Sequence, residues 1–137
     1  MNEKIVEYYN QSQIDYELIW GLKKHLSIHY GFYDKKHPTH GEAVLNFNRI
    51  LATNLSITGG DIVLDAGCGI GGSSIWLAKN YGCKVIGITV VPDQVKQATK
   101  LAKLHGVDHL VSFELQDYTK TSLSGESFTV VWGLESV

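Results

Sequence analysis

The chain has 137 residues, of which 44% are hydrophobic and 19% charged, and its formal net charge at pH 7 is -2. These values fit one globular domain and offer no basic stripe for nucleic acid. No apolar run reaches membrane-spanning length and the N-terminus lacks a signal-peptide core, so we expect a cytoplasmic protein with no membrane partner. Cys68 and Cys83 form no C-x-x-C motif and the histidines have no metal-binding spacing, which predicts reduced cysteines and no metal.

Residues 1–38 are predicted to form an N-terminal helical cap. Helical patterns alternate there with polar turns, and aromatic residues are frequent: Tyr8, Tyr9, Tyr16, Trp20, Tyr30, Phe32 and Tyr33. An aromatic-rich helical segment can cover the open mouth of an α/β sheet and keep water away from a reactive ligand. The same residues could instead fill the core or an oligomer interface, so both interpretations stay open.

Residues 39–137 are predicted to form a Rossmann-like core, an α/β fold with a doubly wound parallel sheet. The core begins with a capping box from Thr39 to Glu42, and the helix that follows ends in a turn at residues 58–61. Strand and helix patterns alternate after this turn, which favours parallel strands whose ligands bind beyond their carboxyl ends. The strands are predicted at residues 62–64, 84–88, 110–114 and 128–132, and the helices between them at 73–81 and 92–104.

A glycine-rich turn follows the first strand and is the most informative part of the sequence. Its spacing satisfies two patterns, the dinucleotide pattern G-x-G-x-x-G at Gly67, Gly69 and Gly72, and the pattern [D/E]-x-G-x-G-x-G at Asp65, Gly67, Gly69 and Gly71. Asp65 distinguishes them, because a carboxylate beside the turn would repel a pyrophosphate and attract the ammonium and sulfonium groups of S-adenosylmethionine. We therefore favour S-adenosylmethionine over NAD as the ligand.

Polar residues follow the later strands at the same edge of the predicted sheet. Thr89 occupies the place where dinucleotide-binding sheets usually carry an acid for the ribose, and Gln94 follows it; both can bind ribose hydroxyls as neutral partners. After the third strand, Asp117 can accept a hydrogen bond from the adenine amine, with Gln116 beside the ring. Glu135 follows the fourth strand, where it would serve as a binding carboxylate or a general base for the acceptor.

Together these motifs resemble the class I S-adenosylmethionine-dependent methyltransferases. The similarity extends to a small-molecule branch that includes tocopherol and sarcosine/dimethylglycine methyltransferases and cyclopropane fatty acid synthases. Residues 65–72 (DAGCGIGG) match its donor-binding loop, in which Cys68 takes the variable place. Residues 87–94 (GITVVPDQ) are similar to the branch's ribose-binding segment, and this resemblance implies that Val90 also contacts the donor.

Two further segments extend the resemblance. Residues 29–34 (HYGFYD) resemble an aromatic segment that reaches the donor in several members, which implies donor contacts for Phe32 and Tyr33. Residues 133–136 (GLES) resemble a segment that lines the substrate cavity. Members of the branch continue through further strands, so the resemblance also implies a missing C-terminal portion, and self-association would be another way to cover the fourth strand.

The sequence thus predicts the donor-binding portion of a methyltransferase that uses S-adenosylmethionine as cofactor and methylates a small-molecule acceptor. As an isolated chain it could be an incomplete, inactive fragment. One alternative is an NAD-dependent oxidoreductase, for which the glycine spacing fits but Asp65 and Thr89 do not. Another is a non-catalytic module that binds the donor, or a partner chain, through its open fourth strand.

Overall fold

The structure, a computed structural model, describes residues 3–8 and 29–134. Residues 3–8 are helical. The other elements are, in chain order, α1 (His40–Asn54), β1 (Ile62–Ala66), α2 (Gly72–Tyr81), β2 (Lys84–Thr89), α3 (Pro92–Leu104), β3 (Val111–Leu115) and β4 (Val130–Trp132). Residues 9–28 of the predicted helical cap, and residues 135–137, lie outside the described residues.

The strands form one parallel, four-stranded sheet in the order β3-β2-β1-β4. β1 pairs with β2 from Ile62 opposite Lys84, and β2 pairs with β3 from Val85 opposite Val111. The chain crosses from β1 through β2 to β3 and then returns to place β4 on the other side of β1. The predicted doubly wound parallel sheet is confirmed, and the reversal of strand order lies beside the glycine turn that follows β1.

Helix α1 begins with the predicted capping box, which is confirmed. The Glu42 backbone N–H donates to Thr39 Oγ1 (3.4 Å), and the Thr39 backbone N–H donates to Glu42 Oε2 (3.1 Å). The start of α1 is therefore fixed, and the preceding chain packs closely on it. Phe32 N–H donates to Ala43 O (2.9 Å), and a Cβ at Gly31 would lie 2.7 Å from the Ala43 carbonyl carbon.

The core lies between one face of the sheet and the helix layer, where α2 packs on β2 and α3 packs on β3. Side chains alternate between the two faces along a strand, so Val63 and Asp65 of β1 point to the same side. Val63 is fully buried in the apolar cluster and Asp65 is 3% exposed. The last residue of β4, Trp132, is buried in the same cluster.

Two glycines allow the ring of Phe113 to pack under the glycine turn. A Cβ at Gly71 would overlap this ring, and a Cβ at Gly87 would lie 2.7 Å from Phe113 Cδ1 and 2.9 Å from Cys68 Cβ. Phe113 belongs to β3, Gly87 to β2 and Gly71 to the turn after β1. The glycine turn is therefore packed against β2 and β3 as well as against β1, the strand that it follows.

The opposite face of the sheet is less covered. Ile62, Leu64 and Ile86 alternate with the core-facing residues of their strands, and all three are half-buried. Val131 on the edge strand β4 is 66% exposed. Apolar side chains on this face and edge thus remain accessible in the described part of the chain.

Two strands begin later than predicted. β3 starts at Val111 and β4 starts at Val130. Just before β4, the Thr129 backbone N–H donates to Ile62 O (2.9 Å). The Thr129 hydroxyl accepts a hydrogen bond from Ile62 N–H (2.9 Å) and donates to Asp61 Oδ1 (2.8 Å). An apolar run in the sequence predicts a strand, but it does not show that the Thr129 side chain accepts the hydrogen bond from Ile62 N–H.

Among residues 3–8 and 29–134, no helix is both long enough and apolar enough to cross a membrane. The same ranges contain no group of three or more His, Cys, Asp or Glu side chains placed to hold a metal ion. Cys68 and Cys83 are both free and buried.

Candidate ligand-binding site

A cavity of about 640 Å³ opens at the carboxyl ends of β1, β2 and β3. Its walls come from the glycine turn, from the residues that follow β2 and β3, and from helical residues 3–8: Gly67, Gly69, Thr89, Val90, Val91, Gln94, Gln116, Asp117, Tyr118, Thr119, Lys4, Ile5 and Tyr8. This is the edge where open parallel sheets bind their ligands, and the volume suits a ligand of nucleoside size. Residues predicted from separate sequence motifs therefore meet at one cavity.

The glycine turn has a backbone conformation that other residues rarely adopt. Gly67, Gly69 and Gly71 have φ of +78°, +56° and +83°, all in the left-handed region. The backbone N–H groups of Gly67 and Cys68 both donate to Ile88 O at 2.9 Å, which ties the turn to the end of β2. A Cβ at Gly69 would meet no atom within 4 Å, so the turn presents bare backbone to open space beside the cavity.

Asp65 lies in the protein interior beneath the turn and does not line the cavity. The hydroxyl of Ser74, in the first turn of α2, donates to Asp65 Oδ2 (2.6 Å). Burial raises the pKa of Asp65 to about 6, and the hydrogen bond from Ser74 only partly opposes this shift. A direct contact between this carboxylate and a cationic ligand stays a prediction, because the described geometry shows the acid bonded to α2.

Cys68 and Gly71 are also predicted contact residues that do not line the cavity. The Cys68 side chain packs in the core next to Gly87, and Gly71 packs against Phe113. Burial raises the pKa of the Cys68 thiol well above its usual value, and the nearby Asp65 charge adds to the effect. The thiol is therefore neutral at physiological pH, and both residues contribute packing at the base of the turn.

Thr89 and Gln94 line the cavity and are hydrogen-bonded to each other. The Thr89 hydroxyl donates to Gln94 Oε1 (2.7 Å) and accepts from the Val91 backbone N–H (3.3 Å). Both side chains are buried apart from their contact with the cavity, and Val90 lines it beside them. The end of β2 thus offers a fixed, uncharged pair of hydrogen-bonding side chains.

Gln116 and Asp117 line the cavity after β3, each held by its own loop. Asp117 Oδ1 accepts hydrogen bonds from the backbone N–H (2.8 Å) and the hydroxyl (2.6 Å) of Thr119, and these bonds lower the pKa of Asp117. Gln116 Oε1 accepts from Ser122 N–H (2.9 Å), while its Nε2 donates to Glu114 Oε2. The carboxylate after β3 is therefore ionised, accessible and oriented.

Phe32 and Tyr33 do not line this cavity and are 50% and 55% exposed. Their backbone is held firmly, since the Asn46 side-chain amide donates to Phe32 O (2.9 Å). The Tyr33 hydroxyl is hydrogen-bonded to His40 Nδ1 (3.0 Å) at the start of α1. The donor contacts implied by the family resemblance stay predictions for both rings.

Sequence reasoning missed Lys4, Ile5 and Thr119 as cavity-lining residues. The helical pattern at the N-terminus suggested a cap, but periodicity alone does not show which residues of a distant segment reach a site. Glu135, the predicted acceptor-side carboxylate, lies outside the described residues, so its role stays a prediction.

The parallel sheet, its glycine turn and the cavity at its carboxyl edge form a Rossmann-like fold of the kind that the class I S-adenosylmethionine-dependent methyltransferases have. Within this class, sequence comparison identifies the group. The chain belongs to the mycolic acid cyclopropane synthetase family, whose sequence model matches residues 1–135. The resemblance to the small-molecule branch is confirmed.

Named relatives and solved structures agree with this assignment. The chain is 34% identical to the chloroplastic tocopherol O-methyltransferase of Arabidopsis thaliana, an alignment that covers 99% of the chain and 41% of the relative. It is 31% identical to a sterol 24-C-methyltransferase of Saccharomyces cerevisiae, over 98% of the chain and 34% of the relative. A geranyl diphosphate methyltransferase, solved in complex with GPP and sinefungin, matches with a TM-score of 0.82 and 25% identity over 96% of the chain and 54% of its own. The chain thus spans less than half the length of these two curated relatives.

Proposed function

We propose that the whole protein transfers a methyl group from S-adenosylmethionine to a small-molecule acceptor, and that residues 39–137 supply the donor-binding part. The observation that carries this proposal is the composition of the cavity at the carboxyl edge of the sheet. It combines a bare glycine turn after β1, a neutral hydrogen-bonding pair after β2 and an ionised carboxylate after β3.

These groups fit the donor. Gly67 and Gly69 would hold it against bare backbone, Thr89 and Gln94 would bind the ribose hydroxyls, and Asp117 would accept a hydrogen bond from the adenine amine. When bound, S-adenosylmethionine supplies an electrophilic methyl group on a sulfonium. The chain's own contribution is to position this group and to exclude water around it.

Further contacts belong to the proposal. The helical cap, residues 1–38, would cover the donor, and this is supported by the positions of Lys4, Ile5 and Tyr8 in the cavity wall. Glu135 would bind or deprotonate the acceptor. The relatives named for tocopherol, sterol and geranyl diphosphate support a small-molecule acceptor.

A cytoplasmic location is also part of the proposal. Cys68 and Cys83 are free and buried, which agrees with a reducing compartment. The tocopherol relative is chloroplastic, so cell fractionation with an antibody to this protein is the direct measurement. Recovery in an organelle fraction would contradict this part of the proposal.

An NAD-dependent oxidoreductase is not favoured, because the named relatives are methyltransferases. The end of β2 also carries Thr89 and Gln94 where NAD sites usually have an acid. A fluorescence titration with NADH distinguishes the two functions, and we expect no saturable binding.

Calorimetric titration of the purified protein with S-adenosylhomocysteine tests the proposal, and we expect saturable binding with one site. Gly69→Ala should weaken binding by roughly tenfold or more, because its methyl group would occupy space beside the cavity needed by the ligand. Gly106→Ala is the matched control, since Gly106 also has a positive φ (+70°) and open space around its Cβ but lies away from the cavity. An equal loss in both variants, or no binding by the folded wild type, would contradict the proposal.

A further inference from the structure

We infer that Trp132 is a positioning residue for Asp65, and that its indole N–H donates to the second carboxylate oxygen of this acid when the acid is ionised. Trp132 would then hold the buried charge beneath the glycine turn. The link itself concerns the protein without ligand, whereas its consequence for binding rests on the proposed function, in which this charge attracts a cationic donor.

Trp132 and Asp65 are neighbours on adjacent strands. Asp65 of β1 pairs with Trp132 of β4 in the parallel register, so the two side chains point to the same face of the sheet. That face is the core, where Trp132 is 2% exposed and Asp65 is 3% exposed. The indole and the carboxyl group therefore share an interior region with almost no access to water.

Each of these side chains has a hydrogen-bonding atom without a partner. Trp132 Nε1 is fully buried and has no acceptor among residues 3–8 and 29–134. In the same ranges Asp65 has one hydrogen bond, which joins Oδ2 to the Ser74 hydroxyl (2.6 Å), so Oδ1 has none. An indole N–H can only donate and an ionised carboxylate can only accept, so the two unpaired atoms are complementary.

The free energy of burial favours a bond between these two atoms. A buried N–H without an acceptor is unfavourable, and a buried carboxylate with a single donor is more so. The backbone amides of Gly67 and Cys68 in the turn already donate to Ile88 O, so they do not supply the second donor. We place the formation of the bond at the ionisation of Asp65, because a carboxylate attracts an N–H more strongly than a neutral carboxyl group does.

The groups around Asp65 leave its titration simple to observe. Cys68 is the other titratable side chain that interacts with Asp65 in the described part of the chain, and burial keeps its thiol neutral at physiological pH by raising its pKa. The buried polar side chains of α1 and α2 on this side are uncharged, and β2 places a glycine opposite Asp65: Asn48, Ser73, Ser74 and Gly87. A change in this region near neutral pH therefore reports Asp65.

The experiment follows the indole N–H signals of the isotope-labelled protein, without ligand, by NMR between about pH 4 and about pH 8. The Trp132 signal should move downfield along a curve that coincides with the titration of the Asp65 carboxyl carbon. In Asp65→Asn the Trp132 signal should not titrate. The indole of Trp76, which packs against Tyr81 in α2, is the internal control and should not follow Asp65 in either protein.

Trp132→Phe removes the donor and keeps an aromatic ring. It should raise the midpoint of the Asp65 titration by about one pH unit, because the charged form loses a hydrogen bond. A role in packing alone predicts the opposite, since a smaller ring lets water closer and lowers a pKa that burial had raised. Trp76→Phe is the matched control and should leave the midpoint unchanged. If Trp132→Phe does not fold, the comparison of the wild type with Asp65→Asn still decides the question.

A Trp132 signal that does not titrate with Asp65, or that titrates equally in Asp65→Asn, would overturn the inference. An unchanged or lower midpoint in folded Trp132→Phe would do the same. These measurements need no ligand, so they stand apart from the proposed function. If S-adenosylhomocysteine does not bind the folded wild type, the proposed function fails while the NMR titration still tests the link between Trp132 and Asp65.

Discussion

The ends of β1 and β2 carry polar side chains in adjacent positions of the sheet but place them in opposite environments. Near the end of β1, the acid Asp65 is buried beneath the glycine turn and bonded to α2. At the end of β2 and in the first turn of α3, the uncharged Thr89 and Gln94 line the cavity. The charged group is thus removed from water and the neutral groups face the ligand. Asp65 and Thr89 point to the same face of the sheet, because Asp65 pairs with Gly87 and Thr89 lies two residues further along β2. Their roles therefore differ by position along the strand: Thr89 lines the cavity, whereas Asp65 lies beneath the turn.

The difference gives the two strand ends different expected responses to substitution. Changes at the β1 end, where side chains and turn are packed, should reduce stability and alter its pH dependence. Changes at the β2 end, where Thr89 and Gln94 line the cavity, should weaken ligand binding with little effect on stability. Three predictions for the β1 end test this contrast.

The largest effect is expected from Gly71→Ala in the turn after β1. Its methyl group would overlap the Phe113 ring, and its φ of +83° disfavours any side chain. We expect a loss of roughly 3 kcal/mol in the free energy of unfolding, measured by urea denaturation. Gly82→Ala has a similar φ (+70°) with open space around the Cβ, and should cost only about 1 kcal/mol. Equal losses would show that the Phe113 contact does not hold the turn.

Asp65→Asn should change how stability depends on pH. The pKa of Asp65 is raised from 3.8 to about 6, so the folded state binds the proton more tightly than the unfolded state. The wild type should therefore lose stability as the pH rises from about 4 to about 6, by roughly 2–3 kcal/mol, and should not regain it at higher pH. Asparagine keeps the acceptor for Ser74 but has no proton to lose, so the variant should lack this decline.

Urea denaturation of both proteins at several pH values checks this, since the other titrating groups are common to both. The exposed acid Asp93 provides the control, because Asp93→Asn should retain the wild-type decline. A wild type and Asp65→Asn with parallel pH profiles would contradict a raised pKa at Asp65.

The smallest expected effect concerns whether the charge of the buried Asp65 influences the affinity for the ligand. S-adenosylmethionine carries a sulfonium charge that S-adenosylhomocysteine lacks, and an ionised Asp65 should favour the charged ligand. The preference for S-adenosylmethionine should therefore rise by about threefold as the pH passes from about 5 to about 7.5. Paired calorimetric titrations measure this ratio, and Asp65→Asn should make it independent of pH. A flat ratio in the wild type would show that burial isolates the acid from the ligand.

Much of the fold could be predicted from local patterns. The capping box at Thr39 and Glu42, the alternating strands and helices and the glycine turn are short-range features, because each depends on neighbours a few residues apart. The contact between Ile62 N–H and the Thr129 hydroxyl beside the start of β4 could not be predicted, because the two residues lie far apart in the chain.

The candidate site was predicted less completely, for two physical reasons. The burial of Asp65 could have been predicted from the sequence. Asp65 lies two residues after Val63 on the same strand, so both side chains point to the same face, and that face is the core. The wall formed by Lys4 and Ile5 had no such signal, because nothing local shows where an N-terminal helical segment packs.

The backbone bonds between strand ends have a consequence for how such a site can change. Ile88 O accepts from the amides of both Gly67 and Cys68, and Thr89 O accepts from the amide of Gln116, each at 2.9 Å. These links join the three segments that surround the cavity without using any side chain. Side chains facing the ligand can therefore be exchanged while the loops keep their relative positions. Substitutions of the ligand-facing side chains should therefore leave the backbone that presents them in place.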